Sequence, residues 1–208
     1  MNEVDLEDEK TEDLICGIVM PISAIDGCSE EHWMEVRSII DDSVNIAGFK
    51  SCLVSDADDS GIIQNRIIQN LYDNKIVVCD VSCKNPNVMF ELGIRLAFDK
   101  PTIVIKDDMT DYSFDTSPIE HIKYPRDLRY QKIMKFKKDL STKIKGTYEA
   151  STKDGYTTFL KHFGRFTVAK LDEKEITSDQ LILDLIKDLS SKVDRLSRGN
   201  DYLYRPAI

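Results

Sequence analysis

No stretch of this 208-residue chain approaches the ~20 consecutive apolar residues that a membrane-spanning helix needs, and its first residues are acidic, the opposite of a secretory leader. A cytoplasmic protein without a membrane partner is expected. Cysteine is too sparse for a disulfide framework: the five residues Cys16, Cys28, Cys52, Cys79 and Cys83 are odd in number and form no C-x-x-C pair. They read as reduced and intracellular. Basic charge is also short, with 28 Lys and Arg against 37 Asp and Glu, a formal net charge of −9. A protein that neutralises backbone phosphates concentrates positive charge, so no nucleic-acid partner is expected. The local run Lys132, Lys135, Lys137, Lys138, Lys143 and Lys145 reads first as a solvated helix face. Histidine is scarce, at three residues, and none stands near Cys83 in sequence. That thiol, beside Lys84, is therefore a weak candidate for a nucleophile.

What is present is the composition of a globular protein, 41% hydrophobic and 31% charged, long enough for one α/β domain and an appendage. Residues 1–13 are acidic with almost nothing to bury and read as a disordered tail. Leu14–Met20 is a continuous apolar run that Pro21 stops, the pattern of a strand covered on both faces. Ser29, followed by Glu30 and Glu31, opens a helix with Trp33, Val36, Ile39, Ile40 and Val44 at helical spacing, and Gly48 closes it. A strand over Ser51–Val54 and a helix with Ile62, Ile63, Ile67, Ile68 and Leu71 follow. Ile76-Val77-Val78 and Pro101–Ile105 are further strands, with a helix between them. This alternation predicts an α/β, flavodoxin-like open parallel sheet with helices on both faces over residues 14–147. His121–Tyr124 is a short candidate fifth strand, and Tyr130–Ile144 an amphipathic helix. Residues 148–176 are an unassigned packing or linker segment. A C-terminal helical extension covers 177–198, where Ile182, Ile186, Leu189, Val193 and Leu196 hold heptad positions suited to a homo-oligomer.

The stretch Ile76–Gly93, IVVCDVSCKNPNVMFELG, is the one that carries chemistry. It reads as strand, polar turn and helix, with Pro86 at the first helical position and Asn85 as its cap. Ligands of open parallel sheets lie off the carboxyl ends of the strands. Asp80, Asn85, Asn87 and Glu91 stand there, as do Pro21 and Ser23 past the first strand and Ser60 and Gly61 past the second. The helix dipole is expected to favour the charged form of Glu91. Asn85 and Asn87 suit ribose hydroxyls. The amides at Ser60-Gly61 suit a phosphate, although a plain Ser cap explains the same residues. Glu91 is also spaced to form an i,i+4 surface bridge with Arg95, the competing account of its presence.

Val-Met-Pro-Ile-Ser at the end of the first strand, Gly48-Phe49, the run Cys79–Gly93 with its N-P-N-V-x-x-E-L-G string, and Lys100-Pro101 together resemble the bacterial TIR-like, predicted nucleotide-binding proteins. These are related in fold to nucleoside 2-deoxyribosyltransferases and to Toll/interleukin-1 receptor (TIR) domains. The resemblance covers roughly residues 14–125. It implies an effector acting on an N-glycosidic bond, as in bacterial defence, with NAD or another nucleotide as substrate or ligand and no further cofactor or metal. Glu91 matches the glutamate that attacks or stabilises the sugar in those families. Where the transferases have an acid six positions earlier this chain has Asn85, which removes a proton donor and favours hydrolysis or binding over transfer. Two readings remain open beside the hydrolase: a non-catalytic nucleotide-sensing module, and a scaffold using the fold for protein contacts.

Overall fold

A computed structural model describes residues 14–55, 63–114 and 116–156 of the chain. The acidic segment 1–13, Ser60 and Gly61, the helix expected at 177–198 and most of 148–176 lie outside the described residues. In chain order the elements are β1 (Ile15–Val19), α1 (Glu30–Ile46), β2 (Lys50–Leu53), α2 (Ile63–Asp73), β3 (Ile76–Asp80), α3 (Pro86–Ala97), β4 (Thr102–Asp107), β5 (His121–Tyr124) and α4 (Tyr130–Ser151), with a single 3-10 turn at Ser82–Lys84 before α3. Among the described residues the four strand pairings are parallel and the order is β2-β1-β3-β4-β5. This is the flavodoxin-like arrangement expected from the alternation of apolar runs.

Period-two alternation divides the central strands between two helical layers. Cys16 and Ile18, Ile76 and Val78, Ile103 and Ile105, together with Tyr124, pack against α1 and α4. The other parity faces α2 and α3, where Gly17 gives room to its neighbours: a Cβ there would stand 2.5 Å from Nδ2 of Asn74 and 3.1 Å from Val54, so those side chains would have to move. Because both faces are covered, Ile76–Cys79 are wholly inaccessible, which is why the strand reads as an unbroken apolar run. The chain leaves β1 toward α1 and leaves β3 toward α3, on opposite faces. The carboxyl ends of these neighbouring strands therefore form the switch point at which such sheets bind ligands.

Local signals set the helix ends. The hydroxyl of Ser29 accepts the N–H of His32 at 3.3 Å, and Gly48, with φ of +86°, takes the left-handed turn after α1. The last helix departs from expectation. It passes Ile144 and Gly146 and runs to Ser151, beyond the boundary read at 147, as Tyr148 packs edge-on against Phe49 with ring centroids 5.2 Å apart. That tertiary contact offsets the ~1 kcal/mol that a helical glycine costs.

Arg95 corrects a second expectation. It makes no bridge to Glu91 but is wholly buried, donating through Nη1 to the carbonyl of Leu71 and through Nη2 to the carbonyl of Pro101 at 2.9 Å. Burial lowers its pKa to about 10. The guanidinium thereby joins the end of α2 to the start of β4 across α3. Arg95→Met should cost about 2–4 kcal/mol in urea denaturation, since two buried carbonyls lose their donors. A loss under ~0.5 kcal/mol, the value of an exposed pair, would contradict this placement.

Candidate active site

A cavity of about 530 Å³ lies at the carboxyl ends of β1 and β2, between the start of α3 and the flank of α2. Five residues expected at a site line it together: Pro21, Ser23, Asn85, Asn87 and Glu91. Sequence reasoning did not assign its apolar walls, among them Ile22, Ile67, Ile68, Phe90 and Ile94. Ile67 and Ile68 are only half-buried, because the face of α2 that carries them borders the cavity. Ile22 and Phe90 remain 55% and 70% exposed, so the cavity opens to solvent. Apolar walls with a few placed polar groups, in this size range, are the usual composition of a small-molecule site.

The turn between β3 and α3 positions the polar residues. Oδ1 of Asn85 accepts the N–H groups of Asn87 at 3.0 Å and Val88 at 3.3 Å, and Pro86 follows as the first helical residue. Upstream, Cys83 and Lys84 have φ of 56° and 49°, left-handed conformations that cost a side chain roughly 1–2 kcal/mol each. Two hydrogen bonds hold them: Cys83 N–H to Oγ1 of Thr110 at 2.8 Å and Lys84 N–H to the carbonyl of Val81 at 3.1 Å. Burial pushes the Cys83 thiol up to about 12, despite the Arg126 guanidinium 3.4 Å from its sulfur. That counts against Cys83 as a nucleophile, because the reactive thiolate is the form disfavoured here.

Glu91 is half-buried in the cavity, and no described residue hydrogen-bonds or pairs with it. Burial alone raises its pKa above the ordinary 4.5. The dipole was expected to act in the opposite direction, but its effect fades beyond the first helical turn, and Glu91 stands in the second. Among the described residues, no group compensates the charge of this carboxylate. No lysine or arginine among the described residues lines the cavity. Among the described residues, moreover, no cluster of three or more His, Cys, Asp and Glu side chains is placed to hold a metal ion.

Asp80 does not join these residues. It is fully buried, with Oδ1 accepting the backbone N–H of Ser82 at 3.0 Å as well as its hydroxyl, and Oδ2 accepting the Tyr124 hydroxyl at 2.8 Å. The expected contact with a ligand is thus replaced by contacts within the protein. Nearby, Arg126 connects three loops that had not been linked in the sequence. Its Nε donates to the buried Asp107 at 2.8 Å and its Nη2 to Asp26 at 3.3 Å, beside Cys83. The signal for both features is spread over residues tens of positions apart.

No protein-family model matches the chain, and a search of curated proteins also gave no match. Among solved structures, a 2-deoxyribosyltransferase from Leishmania mexicana aligns with 19% identity and a TM-score of 0.35 over 45% of this chain. The aligned part spans 65% of that enzyme, just under two thirds of its length. A likeness of this size transfers neither activity nor substrate.

Asp80 makes stability depend on pH with a defined sign. Burial raises its pKa from 3.8 to about 6, partly offset by the hydrogen bonds from Ser82 and Tyr124. A carboxyl whose pKa is higher folded than unfolded binds its proton more tightly in the folded state. Its contribution is therefore complete below the ordinary 3.8 and is lost as pH rises through about 6. Urea midpoints measured between about pH 4 and pH 7.5 should show the stability of wild type relative to Asp80→Asn falling with rising pH. A relative stability that is flat or rises would contradict the assignment.

Proposed function

We propose that the chain hydrolyses the N-glycosidic bond of a nucleotide, with NAD the first substrate to test and Glu91 the catalytic group, in the manner of a TIR-like effector. One observation carries this reading: a half-buried carboxylate, with no partner among the described residues, lines an open cavity at the carboxyl ends of the parallel strands. Such a group suits a site where positive charge develops on a sugar. As the C1–N bond of a nicotinamide riboside breaks, its electron pair passes to the ring nitrogen, which becomes neutral. The positive charge moves to the sugar. Ionised Glu91 then either stabilises the oxocarbenium ion or adds to C1 as a nucleophile, and water completes hydrolysis with release of one proton.

Glu91 is the only carboxylate, histidine, cysteine, lysine or arginine among the described lining residues. No partner is therefore present among them to protonate a departing neutral base, and a pyridinium leaving group needs none. The same observation favours the second reading, a nucleotide-sensing module that binds in this cavity without turnover. Both readings take a nucleotide as partner through Asn85, Asn87, Pro21 and Ser23, with Ser60-Gly61 as the proposed phosphate contact. Assembly through the heptad seam at 177–198 completes the proposal. Sedimentation of wild type against an Ile186→Asp/Leu189→Asp variant tests it, the expected result being a larger mass for the wild type; equal monomeric masses would refute it.

Incubation with NAD, nucleosides and nucleotides, with free base read by chromatography, tests the hydrolase directly. Glu91→Ala should lower base release by about two orders of magnitude or more, while Glu91→Gln should lose turnover and keep ligand binding. Since the ionised form is the active one, the rate should fall on acidification with a midpoint above the ordinary 4.5. Binding by the wild type without base release would establish the sensing module. An unaltered rate in Glu91→Ala would remove Glu91 from the mechanism.

A further inference from the structure

We propose that Asn85 selects the ligand as a one-way hydrogen-bond donor, so that the bound molecule must present an acceptor, a carbonyl oxygen, a ring nitrogen or a hydroxyl oxygen, to its side-chain nitrogen. The proposal rests on the reading of the Glu91 cavity as a nucleotide site and names what that site recognises. An asparagine amide has an acceptor at one end and two N–H donors at the other. Here the acceptor end is committed, since Oδ1 receives the N–H groups of Asn87 at 3.0 Å and Val88 at 3.3 Å. Turning the amide by half a revolution would set its NH2 against two backbone donors, so the hydrogen-bond network assigns oxygen and nitrogen without ambiguity. No described residue accepts from Nδ2, and Asn85 lines the cavity.

The cap therefore does two things at once: it starts α3, and it restricts the rotation of an amide on the cavity wall before any ligand arrives. Pre-orientation of this kind lowers the entropy cost of binding. Glu91, on the same helix and acceptor-only when ionised, supplies the complementary polarity. A ligand that offers a donor toward Asn85 would leave two N–H groups opposed, and the unpaired donors would cost affinity.

The test uses the full chain labelled with 15N. The side-chain NH2 resonances of Asn85, assigned by their loss in Asn85→Asp, are followed during titration with NAD, nicotinamide riboside and adenosine. At least one of these should shift them saturably. Asn85→Asp and the neutral Asn85→Ser both retain a capping oxygen, so both should melt within about 2 °C of wild type and bind that ligand roughly tenfold or more weakly. Asn85→Ala removes cap and donor and should lose both melting temperature and affinity. The proposal is overturned if no ligand moves the Asn85 resonances, or if Asn85→Asp and Asn85→Ser bind as wild type does. A saturable shift without base release by the wild type keeps Asn85 as the donor and sinks the hydrolase. Base release with the Asn85 resonances unmoved does the reverse.

Discussion

The constraint on which the rest depends is the burial of Asp80 at the end of the central strand. A carboxyl with no access to water must be satisfied within the protein, and the groups that satisfy it come from two directions: Ser82, two residues on, and Tyr124, at the end of β5. The first bends the chain into the turn that precedes α3. The second ties the sheet's edge strand to its centre. Ser82 also accepts the N–H of Asp107 at 2.8 Å, so the ends of β3, β4 and β5 meet at one hydroxyl. From this turn the left-handed Cys83 and Lys84 lead to Asn85, Asn85 caps α3, and α3 places Glu91. The geometry of the site follows from an interaction that is not in the site.

The protein treats its buried charges unequally. Asp107 has Arg126, and Arg95 has two backbone carbonyls. Glu91 has no such partner among the described residues, although burial raises its pKa. A carboxylate without a partner among the described residues, set in an apolar-walled cavity, is a candidate functional group. A ligand with positive charge, or one that develops it, would supply the missing partner. The walls do not distinguish a molecule that is cleaved from one that is held. That distinction lies in whether Glu91 meets a bond whose leaving group departs without a proton.

Much of this was legible in the sequence, for physical reasons that can be named. Strands covered on both faces become apolar runs, so Ile76–Cys79 and Ile103–Ile105 announce a parallel sheet. Helix caps are short-range, so Ser29 and the Asn85-Pro86 pair declare their helices within a few residues. The rule that ligands lie off carboxyl strand ends singled out Pro21, Ser23, Asn85, Asn87 and Glu91, which the structure brings to one cavity. What escaped depended on distant partners. The orientation of Asp80 is decided by Tyr124, 44 positions away. Arg95 has the spacing of a surface bridge, and only the carbonyls of Leu71 and Pro101 reveal it as an internal strut. Burial and dipole act on Glu91 with opposite signs, and the winner depends on walls contributed by β1 and α2.

The central claim is that Glu91 lines the cavity as a carboxylate with no partner among the described residues, and titration of its side-chain carboxyl by 13C NMR measures that directly. The account predicts a midpoint above the ordinary 4.5 in the free protein, one that falls when a cationic ligand such as nicotinamide riboside binds beside it. A midpoint at or below 4.5, unchanged by any ligand in the panel, would mean that the charge is already compensated, and the account of the site would fail.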